Sequence, residues 1–319
     1  MDDLRQLPRF DDSLSYLYLE HARIEQHDKA IAFIDGNGLT PVPVAALALL
    51  LLGPGTSITH AAVKALADNN CTVAWVGDEG LRFYAAGTGG TRGSATLLRQ
   101  AALVSHPKAR LQVVMRMYRK RFPGGLDVNL TIQQIRGMEG IRVREAYSAA
   151  SKASGVPWAG RNYKRGDWSA ADPVNRALSA GNACLYGLVQ AAILSAGYSP
   201  ALGFIHTGKQ LSFVYDIADL YKADLIVPTA FDVVAWNPSS VERAMRDACR
   251  NKIREARLMQ RILPDIAAVL DIDNVSEWLN DDPQWDVEAA APSGLWDPSV
   301  PAADGSCVDG GTNYGTDDP

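Results

Sequence analysis

Between His206 and Leu220 the chain reads HTGKQLSFVYDIADL, a fifteen-residue stretch that holds one imidazole and the carboxylates of Asp216 and Asp219. The two acids stand three residues apart among Phe213, Val214, Tyr215, Ile217, Ala218 and Leu220. On a helix that spacing sets them about 60° apart on one face, shared with Lys222. Acids on the polar side of an amphipathic helix are most often solvated groups, and a single histidine is most often a packing residue. The combination is different, because a glycine-flanked loop, LGFIHTGK, presents an imidazole just before a helix carrying two carboxylates. Such a nitrogen-and-oxygen donor set suits Mg2+ or Mn2+.

A third acid belongs with these. In RGMEGIRVREAY, Glu139 lies between Gly137 and Gly140, each of which costs a helix interior roughly 1 kcal/mol relative to alanine. Absent side chains let a backbone or a phosphate come close, which makes sense of the glycines if Glu139 lines a site. Arg136 and Arg142, three residues to either side, would hold it ionised; a surface network of Arg and Glu at helical spacing is the plainer alternative. Gly203 to Lys209 also matches the phosphate-loop pattern, but Gln210 stands where that loop needs a Ser or Thr hydroxyl, and no strand feeds it. Aromatic and basic residues interleave in PWAGRNYKRGDW, with Trp158, Arg161, Tyr163, Lys164, Arg165 and Trp168. Rings beside cations suit splayed or single-stranded nucleic acid, although Trp158 and Trp168 would equally anchor the loop.

These residues need a scaffold, and the pattern changes character along the chain. The first ninety residues hold short apolar or alternating runs, SLSYLYL, KAIAFID, VAALALLLL, CTVAWVG and LRFYAAG, separated by GNG, GPG and DEG. That punctuation predicts strands joined as hairpins in a sheet, interrupted by a helix in THAAVKALADNN that Thr59 caps and Asn69 and Asn70 stop. After GTGGTRGS the periodicity becomes helical. A helix is expected from Ser94 to Arg121, and another from Thr131, where Gln134 completes a capping box, to about Lys152. A third is expected from Asp172–Pro173 to about Ala196, one capped by Ser212, and one from Ser240 to Leu263. The expected fold class is α+β: a β-rich domain over 1–92, an all-α catalytic domain over 93–280, and an acidic, disordered tail over 281–319.

Charge divides the same way. The net charge is −5, yet residues 281–319 carry nine acids and no Lys or Arg, leaving the preceding part mildly basic. From Gly90 to Leu126 there are eight cations, Arg92, Arg99, Lys108, Arg110, Arg116, Arg119, Lys120 and Arg121, and no acid. A run of one sign points to an anionic partner, and phosphate backbone is the commonest. Cys71, Cys184, Cys249 and Cys307 lie far apart, which favours reduced thiols over disulfides or zinc. The run from Val42 to Leu52 is about half of the roughly 20 residues a membrane helix needs, so no membrane partner is expected. MDDLRQL carries acids where an export signal is basic, so the cytoplasm is the expected compartment.

RGMEGIRVREAY, WAGRNYKRGDW, ACLYGLVQAAILSAGYSPALGFIHTGK and LSFVYDIADLYKAD together resemble the CRISPR-associated integrase subunit of spacer acquisition, in its subtype I-E branch. GPGTSITHAAVKALA and VAWVGDEGLRFYAAG are similar too, and the resemblance runs over residues 13 to 270. It implies a homodimer that assembles on a small ferredoxin-like partner subunit. It implies a divalent metal, Mg2+ or Mn2+, held by Glu139, His206 and Asp219, with Asp216 as a further catalytic acid. The reaction implied is transesterification, in which the 3′-hydroxyl of a short duplex with 3′ overhangs attacks a phosphodiester at the CRISPR leader–repeat boundary. The alternatives are a structure-specific nuclease that uses water at the same site, and a non-enzymatic DNA-binding scaffold. Similarity also makes Arg82, Arg136, Tyr163, Trp168, Tyr186 and Lys209 candidate DNA contacts. His21 falls where subtype relatives commonly use a tyrosine to cap the incoming duplex. Because a histidine ligates metal only as neutral imidazole, activity is expected to fall on acidification.

Overall fold

The computed structural model describes residues 16–27, 30–77, 82–87, 94–122, 124–127, 130–160, 172–271, 294–295 and 308–309. Strands fill the first part: β1 (Tyr16–Leu19), β2 (Arg23–His27), β3 (Ala30–Asp35), β4 (Gly38–Val42), β5 (Leu49–Leu52), β6 (Ser57–Ile58), β7 (Thr72–Val76) and β8 (Phe83–Gly87). The expectation of one hairpin sheet is corrected, because they form two sheets, ordered β1-β5-β7-β8 and β4-β3-β2-β6. In the first, β5 pairs in parallel with both β1 and β7. That explains its sequence: four leucines in a row, all buried, read as a central parallel strand covered on both faces. Helix α1 (His60–Asp68) makes the crossover that a parallel return requires. The Thr59 hydroxyl caps it by accepting from the Ala62 N–H at 3.3 Å. Leu50, Leu52, Leu66, Ile24, Ile31 and Val73 meet in one core between the two sheets and α1.

The helical part begins with α2 (Ala95–Ser105) and α3 (Pro107–Arg121), where a single helix was expected. Pro107 forces the break: it disfavours helical backbone at the residue before it, and His106 is extended at φ −92°, ψ 113°. The His106 ring then caps α3, its Nδ1 accepting from the Ala109 N–H at 3.3 Å. Helix α4 (Ile132–Ser154) opens on the Thr131–Gln134 capping box and closes at Gly155, which is left-handed at φ 71°. Helix α5 (Pro173–Ser195) starts at the Asp172 cap with Pro173 in first position.

Length and composition alone would let α5 cross a membrane. In the fold it is the central core helix, packed against β7 and β8 on one side and against the later helices on the others. Burying each of its large apolar side chains contributes about 1.5–3 kcal/mol.

Beyond it lie α6 (Ser212–Ala218), one π-helical turn at Lys222–Ile226, α7 (Val227–Ala235), α8 (Val241–Glu255) and α9 (Leu258–Leu270). Ser212 starts α6 rather than capping it, and its hydroxyl donates to the Lys209 carbonyl at 2.9 Å. The helix expected to reach Leu263 is interrupted at Arg257, whose φ of 47° ends α8 and begins α9. Arg116 and Lys120 tie α3 to α9: Arg116 donates to the Val269 carbonyl at 2.7 Å, and Lys120 pairs with Asp265 at 2.7 Å. Cys71, Cys184 and Cys249 are buried and form no disulfide among the described residues, whereas Cys307 lies outside them.

Residues 1–274 and 275–319 form separate units. The boundary expected at 92/93 and most of the tail fall outside the described residues, and within the tail Gly294–Leu295 pairs antiparallel with Val308–Asp309.

Candidate active site

The loop from Leu202 to Leu211 is built around one buried acid. Asp216, in the middle of α6, is fully buried, and its Oδ2 accepts from the backbone N–H groups of Phe204 at 2.6 Å and Ile205 at 3.0 Å. Its Oδ1 accepts from the His206 backbone N–H at 2.9 Å and lies 2.7 Å from His206 Nδ1. The helical spacing that suggested a solvated face for Asp216 therefore puts it beneath the loop. Asp216, expected as a catalytic acid, is engaged by the loop through both oxygens and lies against the His206 ring. A carboxylate at Nδ1 calls for the proton on that nitrogen, which leaves the Nε2 lone pair of the neutral ring facing outward. His206 Nε2 is 4.0 Å from Asp219 Oδ2.

Two further residues hold the loop: Arg110, read from the sequence only as one of a basic run, and Gln100, which the sequence did not mark. Arg110 donates to the Phe204 carbonyl through Nε at 3.0 Å and through a terminal nitrogen at 2.8 Å. Gln100 donates to the Ser199 and Leu202 carbonyls, both at 3.0 Å, and accepts from the Ser199 N–H at 2.7 Å. Packing requires the missing side chain at Gly203: a Cβ there would run into the His206 carbonyl and approach Ser212 Cβ to 2.7 Å.

Glu139 comes to the same place from α4. Its carboxylate accepts from Arg142 at 2.9 and 3.1 Å, the pairing foreseen, but its other cation is Arg121 at 3.4 Å rather than Arg136. Arg121 ends α3 with a side chain only 3% exposed, and it also donates to the Asp216 carbonyl at 3.3 Å and lies 4.0 Å from Asp219. One guanidinium therefore spans Glu139 and Asp219. Its Nε–H has no hydrogen-bond partner among the described residues. Tyr118 lies beneath, the guanidinium carbon being 5.3 Å from the ring centroid.

On the open side, Lys222 meets Asp219. Burial works against its charge, but Asp219, helped by Tyr186, outweighs it and holds the ammonium above the usual lysine pKa. The hydrogen bonds that Arg142 donates to Glu139 likewise raise the pKa of its guanidinium.

Among the described residues, no three His, Cys, Asp or Glu side chains stand together as a metal-ligating group. The donor types nonetheless fit a hard divalent ion: two carboxylates that face one buried guanidinium, and an imidazole nitrogen 4.0 Å from one of them. Gly137 and Gly140 leave the helix beside Glu139 bare, with no atom within 4 Å of an added Cβ at either position.

The other expected contacts scatter. Arg82, Arg136 and Lys209 are exposed. Tyr186 stacks edge-on against Tyr215 with centroids 5.0 Å apart, and the Lys222 ammonium lies 5.5 Å from its ring centre. His21 is exposed at the β1–β2 turn, left-handed at φ 49°, with its ring over Gly55. Tyr163 and Trp168 lie outside the described residues. Trp158 is an anchor, stacked on Tyr147 at 4.8 Å and edge-on to Phe231 at 5.6 Å. The acid-free segment is also not mainly a phosphate face. Arg110, Arg116, Lys120 and Arg121 are all engaged within the fold, while Lys108 and Arg119 remain exposed.

The profile of the family described as CRISPR associated protein Cas1 matches residues 15–126 and 124–254. A relative from Thermus thermophilus, named CRISPR-associated endonuclease Cas1 2, is 54% identical over 99% of this chain and 95% of its own length. One from Escherichia coli, named CRISPR-associated endonuclease Cas1, is 43% identical over 81% of this chain and 85% of its own. A crystal structure described as a TtCas1–DNA complex superposes with a TM-score of 0.77 at 58% identity, covering 83% of this chain and 99% of that one. A Cas1 protein from Thermotoga maritima shares the fold at a TM-score of 0.54 and 15% identity, over 81% of this chain and 97% of that one.

Proposed function

The chain belongs to the CRISPR-associated Cas1 family, and from that premise we propose that it is a metal-dependent DNA-joining enzyme of spacer acquisition. The reading is that it inserts the 3′-hydroxyl ends of short DNA fragments into a repeat array by transesterification, working in the cytoplasm as a homodimer on a small ferredoxin-like partner. The observation that carries the chemistry is a chain of contacts: Arg121 lies 3.4 Å from Glu139 and 4.0 Å from Asp219, and Asp219 lies 4.0 Å from His206 Nε2. Binding of DNA by a protein of 58% identity, described as a TtCas1–DNA complex, supports DNA as the substrate class.

On this reading Glu139, Asp219 and the Nε2 of His206 would hold Mg2+ or Mn2+. When bound, such an ion polarises a phosphoryl oxygen and lowers the pKa of an attacking hydroxyl. The protein's share is positional. Asp216 fixes the imidazole, Arg110 and Gln100 fix the loop that carries it, and Arg121 holds the two carboxylates in register. Arg136 and Lys209, both exposed, would meet phosphates on this reading. Because one phosphodiester forms as another breaks, no nucleotide cofactor is required, in keeping with the failed phosphate-loop match at Gln210.

The test combines the purified chain and its small partner subunit with 3′-hydroxyl duplexes, a supercoiled plasmid bearing a repeat array, and Mg2+. Joined products are expected from these duplexes and not from 3′-deoxy duplexes; equal joining of the two would refute the reading. A second reading is favoured by the name endonuclease borne by the relatives: water replaces the 3′-hydroxyl at the same site. Cleavage without any joining, with or without the partner, would select it.

A further inference from the structure

The acids of the site do not stand bare. Arg142 covers Glu139, Lys222 covers Asp219, and Arg121 lies between them. The three cations differ in how they are held. The Arg121 side chain is 3% exposed and part of the framework, whereas those of Arg142 and Lys222 are 21% and 25% exposed.

The backbone delivers Lys222 by an unusual route. Immediately after Asp219 and its neighbours the chain makes one π-helical turn, Lys222–Ile226, closed by the Val227 N–H on the Lys222 carbonyl. Such turns are rare and concentrate at functional sites. This one seats the ammonium against Asp219 Oδ1 and near the face of Tyr186. Asp219 Oδ2 faces Arg121 and His206 Nε2, each at 4.0 Å, while Oδ1 is held by Lys222, so an ion that takes both carboxylate oxygens has to take the place of the ammonium.

We propose that Lys222 is the resident counter-cation of Asp219, and that a divalent ion enters the site by displacing it. The inference rests on Asp219 being a metal ligand. Its consequence is an exchange: the ion takes Asp219, and the freed ammonium becomes available to a DNA phosphate, so that loading of the site and binding of an anionic substrate favour one another. Lys222 is thus a positioning residue that weakens metal binding in the free protein.

The experiment is a Mn2+ titration of the full chain without DNA, following free Mn2+ by electron paramagnetic resonance. Lys222→Gln is expected to bind Mn2+ about tenfold more tightly than the parent, the scale of deleting one like charge beside a partly buried ligand. Lys222→Arg, which keeps the charge, is expected within about twofold of the parent. Unchanged or weaker binding by Lys222→Gln overturns the proposal. Asp219→Asn separates it from the reading beneath: if this variant keeps the parent's Mn2+ affinity, the ligand assignment itself is wrong. A second measurement needs no variant. Amine labelling of Lys222, read by peptide mass spectrometry, is expected to rise when Mn2+ is added, and labelling that does not change counts against displacement.

Discussion

Asp216 lies 2.7 Å from His206 Nδ1 while accepting from the backbone N–H of the same histidine at 2.9 Å, so one buried carboxylate fixes both the ring and the chain that carries it. Replacing it with asparagine keeps the volume but turns an amide towards backbone donors, leaving at least one of them unsatisfied. A buried unpaired donor costs about 1–3 kcal/mol. Asp216→Asn is therefore expected to lower stability by that amount and to reduce DNA joining. Asp219→Asn, at a partly exposed position, is expected to fold like the parent and bind DNA, yet lose joining. Chemical denaturation alongside the joining assay tests the contrast; two variants with the same stability loss would contradict the division of roles.

Arg121 is a buried charge whose acidic partners are Glu139 and Asp219. Removing a buried cation strands the acids that faced it, so Arg121→Met is expected to destabilise the fold by about 3–5 kcal/mol. The informative measurement is a double-mutant cycle with Glu139→Gln. The coupling between the two is expected to exceed about 1 kcal/mol, and an additive pair would mean that Arg121 supports the helices without holding the carboxylate.

Two glycines in the same loop separate packing from backbone freedom. At Gly203 a Cβ would collide with the His206 carbonyl and with Ser212, whereas at Gly208, with φ at +78°, it would meet nothing. Gly208→Ala is expected to cost about 1 kcal/mol of backbone strain and to leave joining largely intact. Gly203→Ala is expected to cost more, about 1–3 kcal/mol from overpacking, and to depress joining by moving His206. Thermal unfolding and joining rates for the pair decide this; equal effects at both positions would remove the packing argument.

These sites also show what the sequence could disclose. Features set by neighbours along the chain were readable: the Thr131–Gln134 capping box, the Thr59 cap, and the Asp172–Pro173 start of α5. The candidate ligands were readable because glycines and an imidazole flank acids in otherwise apolar surroundings. The burial of Asp216 was not legible, because helical spacing cannot tell which neighbour covers a face. Arg110 and Phe204 are 94 residues apart, and Arg116 and Val269 are 153 apart, so nothing local marked these arginines as donors to carbonyls. An acid-free basic helix has two physical outlets, phosphate outside the fold or backbone oxygens within it, and composition alone does not choose between them. The parallel pairing of β5 was hidden for the same reason, since its partners depend on a crossover rather than on a turn.

Gly137 and Gly140 give the sharpest test of whether DNA approaches α4 beside Glu139. Both lie inside the helix, and a Cβ at either would point into open space, so the chain's own packing has no need of glycine there. Alanine recovers roughly 0.5–1 kcal/mol per position in a helix interior. Gly137→Ala and Gly140→Ala are each expected to raise the unfolding temperature. If a phosphate or sugar comes close to this bare stretch during the reaction, the added methyl groups occupy the space it needs. Joining is then expected to fall at least several-fold while stability rises, with the loss appearing in DNA affinity rather than in Mn2+ affinity. Variants that gain stability and join DNA at the parental rate would show that the substrate follows another path past Glu139.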